Sequence, residues 1–194
     1  MECKVSHWKE LIILSEKGYV LWFTGPPGAG KTTLAERLKT ILNNNGTGVE
    51  ILDGDEIRKG LSKDLGFSKE DREKHNERVM FVAKLLSRNG IITLVPLISP
   101  YRAVREKARK EIPNFIEIYI KCPLDVLIKR DPKGLYKKAL AGEITNLTGL
   151  QDTYEEPLSP EIVIDTNAKT IEESVNTILE FLRARGEKVP TEVN

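Results

Sequence analysis

The chain has 194 residues, 40% of them hydrophobic and 30% charged, a balance that excludes a disordered protein. Thirty Lys and Arg against 29 Asp and Glu leave a net charge of +1, so no global field points toward nucleic acid or an anionic membrane. The length suits one domain over residues 1–194, with a core that needs neither disulfide nor metal.

Cys3 and Cys122 form no CxxC pair, and His7 and His75 lie far apart, which argues against a disulfide framework and a zinc site. The early apolar run Leu11-Ile12-Ile13-Leu14 is too short for a spanning helix or a signal core. A cytoplasmic protein is the expectation.

In chain order, Tyr19 to Thr24 reads as a buried strand. Leu34, Leu38, Ile41 and Leu42 fall on one face of a helix from about Lys31 to Asn45, with Gly46 as its stop. Val49 to Leu52 is a second strand. A long helix follows from about Ser68 to Asn89, started by Ser68 with Asp71 and ended by Gly90. Ile91 to Leu97 is a third strand, with Pro96 at its end because proline cannot donate to a ladder. Pro100 fits the first turn of the next helix, which runs toward Glu111. Phe115 to Ile120 alternates as a fourth strand, and Pro123 begins another helix. Residues 131–160 carry many Gly, Lys, Glu and Pro and no long apolar run, as expected of a mobile lid outside the core. Ile162 to Ile164 is a fifth strand and Ile171 to Ala184 the last helix, with a frayed tail from about 186 to 194. Alternating strands and helices imply an α/β fold, a five-stranded mostly parallel sheet with helices on both faces. Ligands in such sheets bind beyond the carboxyl ends of the strands.

The first strand ends in Gly25-Pro26-Pro27-Gly28-Ala29-Gly30-Lys31-Thr32-Thr33. This matches G-x-x-x-x-G-K-[ST] between a strand and a helix, the setting the motif requires. Its glycines let amides turn toward phosphate, Lys31 can reach the outer phosphates, and the Thr32 hydroxyl can hold Mg²⁺. The residues thus point to a P-loop NTPase fold that binds ATP or GTP. A nucleotide switch would carry the same loop.

The second strand runs into Asp53-Gly54-Asp55 and then Arg58. Two carboxylates there can position Mg²⁺ or accept a hydroxyl proton; an acidic Asp-Gly turn is the plainer alternative. Arg58, Arg72, Arg78, Arg102 and Arg105 recur where loops meet helices, suited to a phosphate or sulfate oxyanion or to solvent. His75 fits a surface or capping role, or a ligand contact. Ser99 can cap the next helix or contact phosphate, and no His lies near it in sequence to make it a nucleophile. Phe67 can stack on a base or edge the core, whereas Trp8, Trp22 and Phe23 fit the core. The lid string from Arg130 through Lys133 to Lys138 supplies cations that can close over a transferring phosphoryl group, or stay solvated.

Together these strings resemble the adenylylsulfate kinase family from about Gly18 to Ile178. The resemblance rests on Asp53-Gly-Asp-x-x-Arg58-x-Gly60-Leu61, Asp64-Leu65-Gly66-Phe67-Ser68, Glu70-Asp71-Arg72, Ile98-Ser99-Pro100-Tyr101-Arg102, the run from Arg130 to Ala139, and Ala141-Gly142-Glu143-Ile144. It implies transfer of the ATP γ-phosphoryl to the 3′-hydroxyl of adenosine 5′-phosphosulfate, giving 3′-phosphoadenylylsulfate and ADP, with Mg²⁺. It places Gly28, Ala29, Gly30, Lys31, Thr32 and Thr33 on ATP, with Gly25 and Arg130 counted beside them. It places Asp55, Arg58, Phe67, Arg72, Ile98, Ser99 and Lys133 on adenylylsulfate, with Phe67 stacking on adenine. Thr32 and Asp53 are the metal candidates; Lys31, Asp53, Asp55 and Ser99 are the catalytic ones. Ser99 matches a serine assigned in the family as a phosphorylated intermediate, although in-line transfer needs no covalent step. The family also commonly forms homodimers.

Three positions depart from the family pattern. His75 stands where Asn is usual, three residues after Arg72, and Leu147 replaces the usual Phe before Thr148-Gly149. Both are counted among the acceptor contacts, and the lost aromatic face costs about 1 kcal/mol of stacking. Pro26-Pro27 replaces the usual Leu-Ser. A kinase of the same scaffold acting on another nucleotide or a sugar is the nearer rival; a switch that binds a partner protein is the farther one. No nucleic-acid or membrane partner is expected.

Overall fold

The computed structural model describes residues 18–44 and 48–190. The expectations for Cys3, His7, Trp8, the apolar run at 11–14, the Gly46 stop and the tail from 191 onward lie outside them.

Among the described residues, five strands and seven helices follow in order: β1 (Val20–Thr24), α1 (Lys31–Asn43), β2 (Val49–Ile51), α2 (Gly54–Lys59), α3 (Lys69–Ser87), β3 (Ile92–Pro96), α4 (Arg102–Glu111), β4 (Phe115–Lys121), α5 (Leu124–Arg130), α6 (Leu135–Leu140), β5 (Ile162–Asp165) and α7 (Ile171–Ala184). The sheet order is β2-β3-β1-β4-β5 and every pairing is parallel. This is the P-loop kinase architecture. β1 is central, so the loop after it opens between the ends of β3 and β4, where such sheets bind ligands.

The sheet is buried on both faces because successive side chains point to opposite sides. Leu21, Phe23, Ile116, Ile118 and Ile120 join Leu34, Leu38, Val175 and Ile178 in one core cluster. Val20, Trp22 and Val95 join Val79, Ala83, Ala108 and Ile112 in the other. Ser68 caps α3 by accepting from the Asp71 amide, and Thr170 caps α7 in a reciprocal box with Glu173. Among the described residues no helix is long and apolar enough to cross a membrane.

Several expectations are corrected. α4 starts at Arg102 with Tyr101 as its N-cap, so Pro100 lies before the helix and not in its first turn. The lid is not devoid of core: it contains α6, and Tyr136, Ala139 and Leu147 are buried in the larger cluster. Short helices such as α2 and α6 have too few turns to show a periodicity. Residues 186–190 are not loose, because Val189 packs on the core and the Pro190 carbonyl accepts from Arg183. β4 is a strand as expected, buried from Phe115 to Ile120, and Glu117 within it is paired with Arg105 and Arg109.

Candidate active site

The phosphate loop is held from behind. A Cβ on Gly25 would meet the Ile120 carbonyl oxygen at 2.4 Å, so only glycine lets the chain leave β1 beside β4. Lys31 Nζ donates to the Gly25 and Pro26 carbonyls at 2.9 and 2.8 Å. Tyr136 of α6 donates its hydroxyl to the Pro27 carbonyl at 2.9 Å. The Thr166 hydroxyl, just after β5, donates to the Ala29 carbonyl at 3.0 Å. The N-cap of α1 is Gly30, which has no side chain to accept from the first-turn amides, and such amides bind anions. Burial, with the Lys133 ammonium second, pulls Lys31 down to about 7; phosphate oxygens around it restore its charge.

On the next strand end, Asp53 has two tasks. Its Oδ1 accepts from the amides of Asp55 and Glu56 at 2.9 and 3.2 Å, capping α2, and its Oδ2 accepts from the Thr32 hydroxyl at 3.0 Å. Asp53 therefore makes an acidic turn, and its carboxylate also touches the phosphate loop. A Cβ on Gly54 would meet Leu97 Cδ2 at 2.5 Å, so glycine lets α2 sit against the end of β3. Asp55 forms an ion pair with Lys133 of the lid.

The acceptor-side residues gather around Phe67. Its ring is 63% exposed and lies 4.6 Å from the Arg58 guanidinium and 5.7 Å from that of Arg72. Arg58 donates to the Gly66 carbonyl at 2.9 Å; Arg72 donates to the carbonyls of Phe67 and Asn146 at 2.9 and 2.8 Å. Phe67 is thus no core edge. His75 is buried, and its Nδ1 has no hydrogen-bond partner among the described residues. Burial, then the charges of Arg58 and Arg78, pull it down to about 4.

Ser99 is 2% exposed and adopts φ 37. It does not cap α4. Its hydroxyl accepts from Trp22 Nε1 at 2.9 Å and donates to Thr24 Oγ1 at 3.2 Å; neither is a base that could activate it. The Ile98 carbonyl accepts from Thr24 at 2.9 Å. Arg130 donates to the Thr166 hydroxyl and carbonyl at 3.1 and 2.6 Å, on the nucleotide side.

Other expected contacts are taken up by the fold. Arg78 binds Asp64 with both guanidinium nitrogens at 2.5 and 2.8 Å. Arg102 donates to the Glu156 carbonyl, and Arg105 is buried against Glu117. Leu147 is only 7% exposed, so it offers little apolar face to a base. Sequence reasoning missed Thr24, Tyr136, Tyr154 and Thr166. Thr166 was findable, because it follows β5 as Asp53 follows β2. Tyr136 and Tyr154 meet their partners 109 and 130 residues away in sequence, which no local pattern shows.

The chain is similar to known proteins over most of its length. Residues 17–165 match the family model described as adenylylsulphate kinase. A probable adenylyl-sulfate kinase of Archaeoglobus fulgidus is 60% identical over 149 residues, covering 77% of this chain and 96% of the relative. One from Pseudomonas aeruginosa is 55% identical over 167 residues, covering 86% and 78%. The solved structure of a Mycobacterium tuberculosis APS kinase in complex with AMPPNP and APS superposes with a TM-score of 0.83 at 40% identity, covering 86% of this chain and 98% of that one. With that match in sequence and in fold, the chain belongs to the adenylylsulphate kinase family.

Proposed function

We propose that this protein transfers the γ-phosphoryl group of ATP to the 3′-hydroxyl of adenylylsulfate, releasing ADP and 3′-phosphoadenylylsulfate. The observation that carries the reading is the exposed Phe67 ring, flanked by two guanidinium groups. A flat aromatic face with Arg58 and Arg72 beside it suits a base whose sugar carries a phosphosulfate. A bare nucleotide switch needs no such acceptor platform.

The donor side is supplied by the loop amides from Gly28 to Thr33, with Lys31 on the outer phosphates and Arg130 with Thr166 near the base. Thr32 and Asp53 bring two hard oxygens to the loop mouth, 3.0 Å apart. They fit Mg²⁺, which takes few protein ligands and relies on phosphate oxygens and water. Bound there, Mg²⁺ neutralises charge on the β- and γ-phosphate oxygens.

The chain's own residues then supply positioning and proton handling. Arg58, Arg72 and Phe67 orient the acceptor, and His75 lines its pocket as a neutral imidazole. A carboxylate oxygen of Asp55 takes the proton from the attacking 3′-hydroxyl. Lys133 leaves Asp55 for the phosphates as the lid settles over both substrates. Ser99 shapes the acceptor loop without forming a phosphoenzyme, since its hydroxyl faces only Trp22 and Thr24 among the described residues.

The test is ADP release with ATP, Mg²⁺ and adenylylsulfate, against AMP and no-acceptor controls. Stimulation confined to adenylylsulfate is expected. Stimulation by AMP alone would move the acceptor to another nucleotide and point to His75 as the first residue to examine.

A further inference from the structure

A buried arginine and a half-buried tyrosine, neither among the proposed substrate contacts, converge on the acceptor loop. Arg105 of α4 is 2% exposed and uses all three of its nitrogens. Nε donates to Glu117 Oε1 at 2.7 Å, one Nη to the Ser99 carbonyl at 2.5 Å, and the other to the Glu155 carbonyl at 2.5 Å. One guanidinium therefore joins β4, the loop after β3 and the segment that returns from the lid. Tyr154, on that returning segment, reaches Thr24 at the end of β1, with 2.9 Å between hydroxyls. The Thr24 proton goes to the Ile98 carbonyl, so Tyr154 and Ser99 both donate to Thr24. The Tyr154 ring is held by the Tyr119 ring at 6.1 Å and lies 5.8 Å from the Arg105 guanidinium.

These bonds explain the Ser99 backbone. A serine at φ 37 is a strained conformation that persists only where its surroundings over-determine it. Here they do: Trp22 and Thr24 fix the side chain, and Arg105 fixes the carbonyl. The same surroundings tie it to the lid's return, because Glu155 donates its amide to the Pro100 carbonyl at 2.9 Å and accepts from the Arg102 amide at 2.7 Å.

We infer that Arg105 and Tyr154 are positioning residues that seat the acceptor loop, 98–101, against the segment returning from the lid, 152–156. The kinetic part of this inference rests on the adenylylsulfate reading above; the coupling between the two segments does not. R105K keeps the charge beside Glu117, which also retains Arg109 at 3.1 Å, but an ammonium cannot span three partners at once. Y154F removes one hydroxyl and leaves the ring.

R105K is expected to raise KM for adenylylsulfate about tenfold, the loss of one or two charge-assisted bonds, with KM for ATP within about twofold of wild type. Y154F should show the same split at a smaller size. Hydrogen exchange on the ligand-free protein should show 98–101 and 152–156 losing protection together in R105K, with 25–33 unchanged. Unchanged KM for adenylylsulfate, or both KM values rising together with a lower Tm, would overturn the inference. If the wild type phosphorylates no adenylylsulfate, the functional reading fails and exchange alone decides: paired loss at the two segments upholds the coupling, and isolated or global loss refutes it.

Discussion

Lys133 of the lid and Asp55 of α2, 78 residues apart in sequence, form an ion pair at the mouth of the site. Both side chains are more than 60% exposed, and exposed pairs contribute about 0–1 kcal/mol. The lid cation can therefore leave Asp55 at small cost when phosphates arrive. Lys133→Ala should leave Tm nearly unchanged while lowering turnover by about ten- to a hundredfold. Thermal melts beside steady-state kinetics check both halves.

Lys31 is buried and donates to two carbonyls of the phosphate loop, from where the proposed mechanism turns it to the outer phosphates. Lys31→Ala should reduce turnover at least about a hundredfold and leave the circular dichroism spectrum unchanged. Preserved turnover would sink the proposed mechanism.

Phe67 rests on solvent and two guanidinium groups, not on core. Phe67→Ala should raise KM for adenylylsulfate about tenfold, the equivalent of one lost stacking contact, and leave KM for ATP alone. Phe67→Trp should restore most of the affinity. Isothermal titration with each nucleotide separates the two sides.

His75 gives a pH signature in stability. Its folded pKa of about 4 lies below the ordinary 6.5, so between those values the unfolded chain binds the extra proton. Stability therefore falls as pH drops from about 6.5 toward 4. At pH 5 the loss is about 2 kcal/mol. Urea unfolding at pH 7 and pH 5 should show that loss in the wild type and a smaller one in His75→Asn.

Glu117 sits between Arg105 and Arg109, with 8% of its side chain exposed. Glu117→Ala leaves the buried Arg105 cation without its carboxylate, and breaking such a pair costs about 3–5 kcal/mol. Denaturant unfolding should show it.

Much of the fold was legible because its signals are local. The phosphate loop, the cap at Ser68 and the apolar strands announce themselves within a few residues. The residues of the proposed site were named wherever a strand end or the loop after it carried a polar residue, as at Asp53, Ser99 and Lys31. What stayed hidden depends on distance along the chain. Tyr136 on Pro27, Tyr154 on Thr24 and Arg105 between three segments are pairings that only the closed sheet creates. The pairing of Glu117 stayed hidden for a related reason: it is made by arginines of α4, which the sheet brings beside β4. Leu147 reads as a substituted stacking residue in sequence, yet packing claims it.

The turn after β1 uses its acceptors inward. The carbonyls of Gly25 and Pro26 receive Lys31, that of Pro27 receives Tyr136, and that of Ala29 receives Thr166. Pro26 and Pro27 carry no N–H, and the Ala29 amide donates to the Pro26 carbonyl at 3.3 Å, so the amides left to meet an anion are those at the uncapped start of α1, a surface of one electrical sign built without a permanent surplus of charge. Such a surface leaves cationic or donor-only visitors nothing to bond. If Lys31 turns to a triphosphate, the Gly25 carbonyl gives up this donor while the Pro26 carbonyl keeps the Ala29 amide, beside the Pro27 carbonyl that Tyr136 of the lid holds.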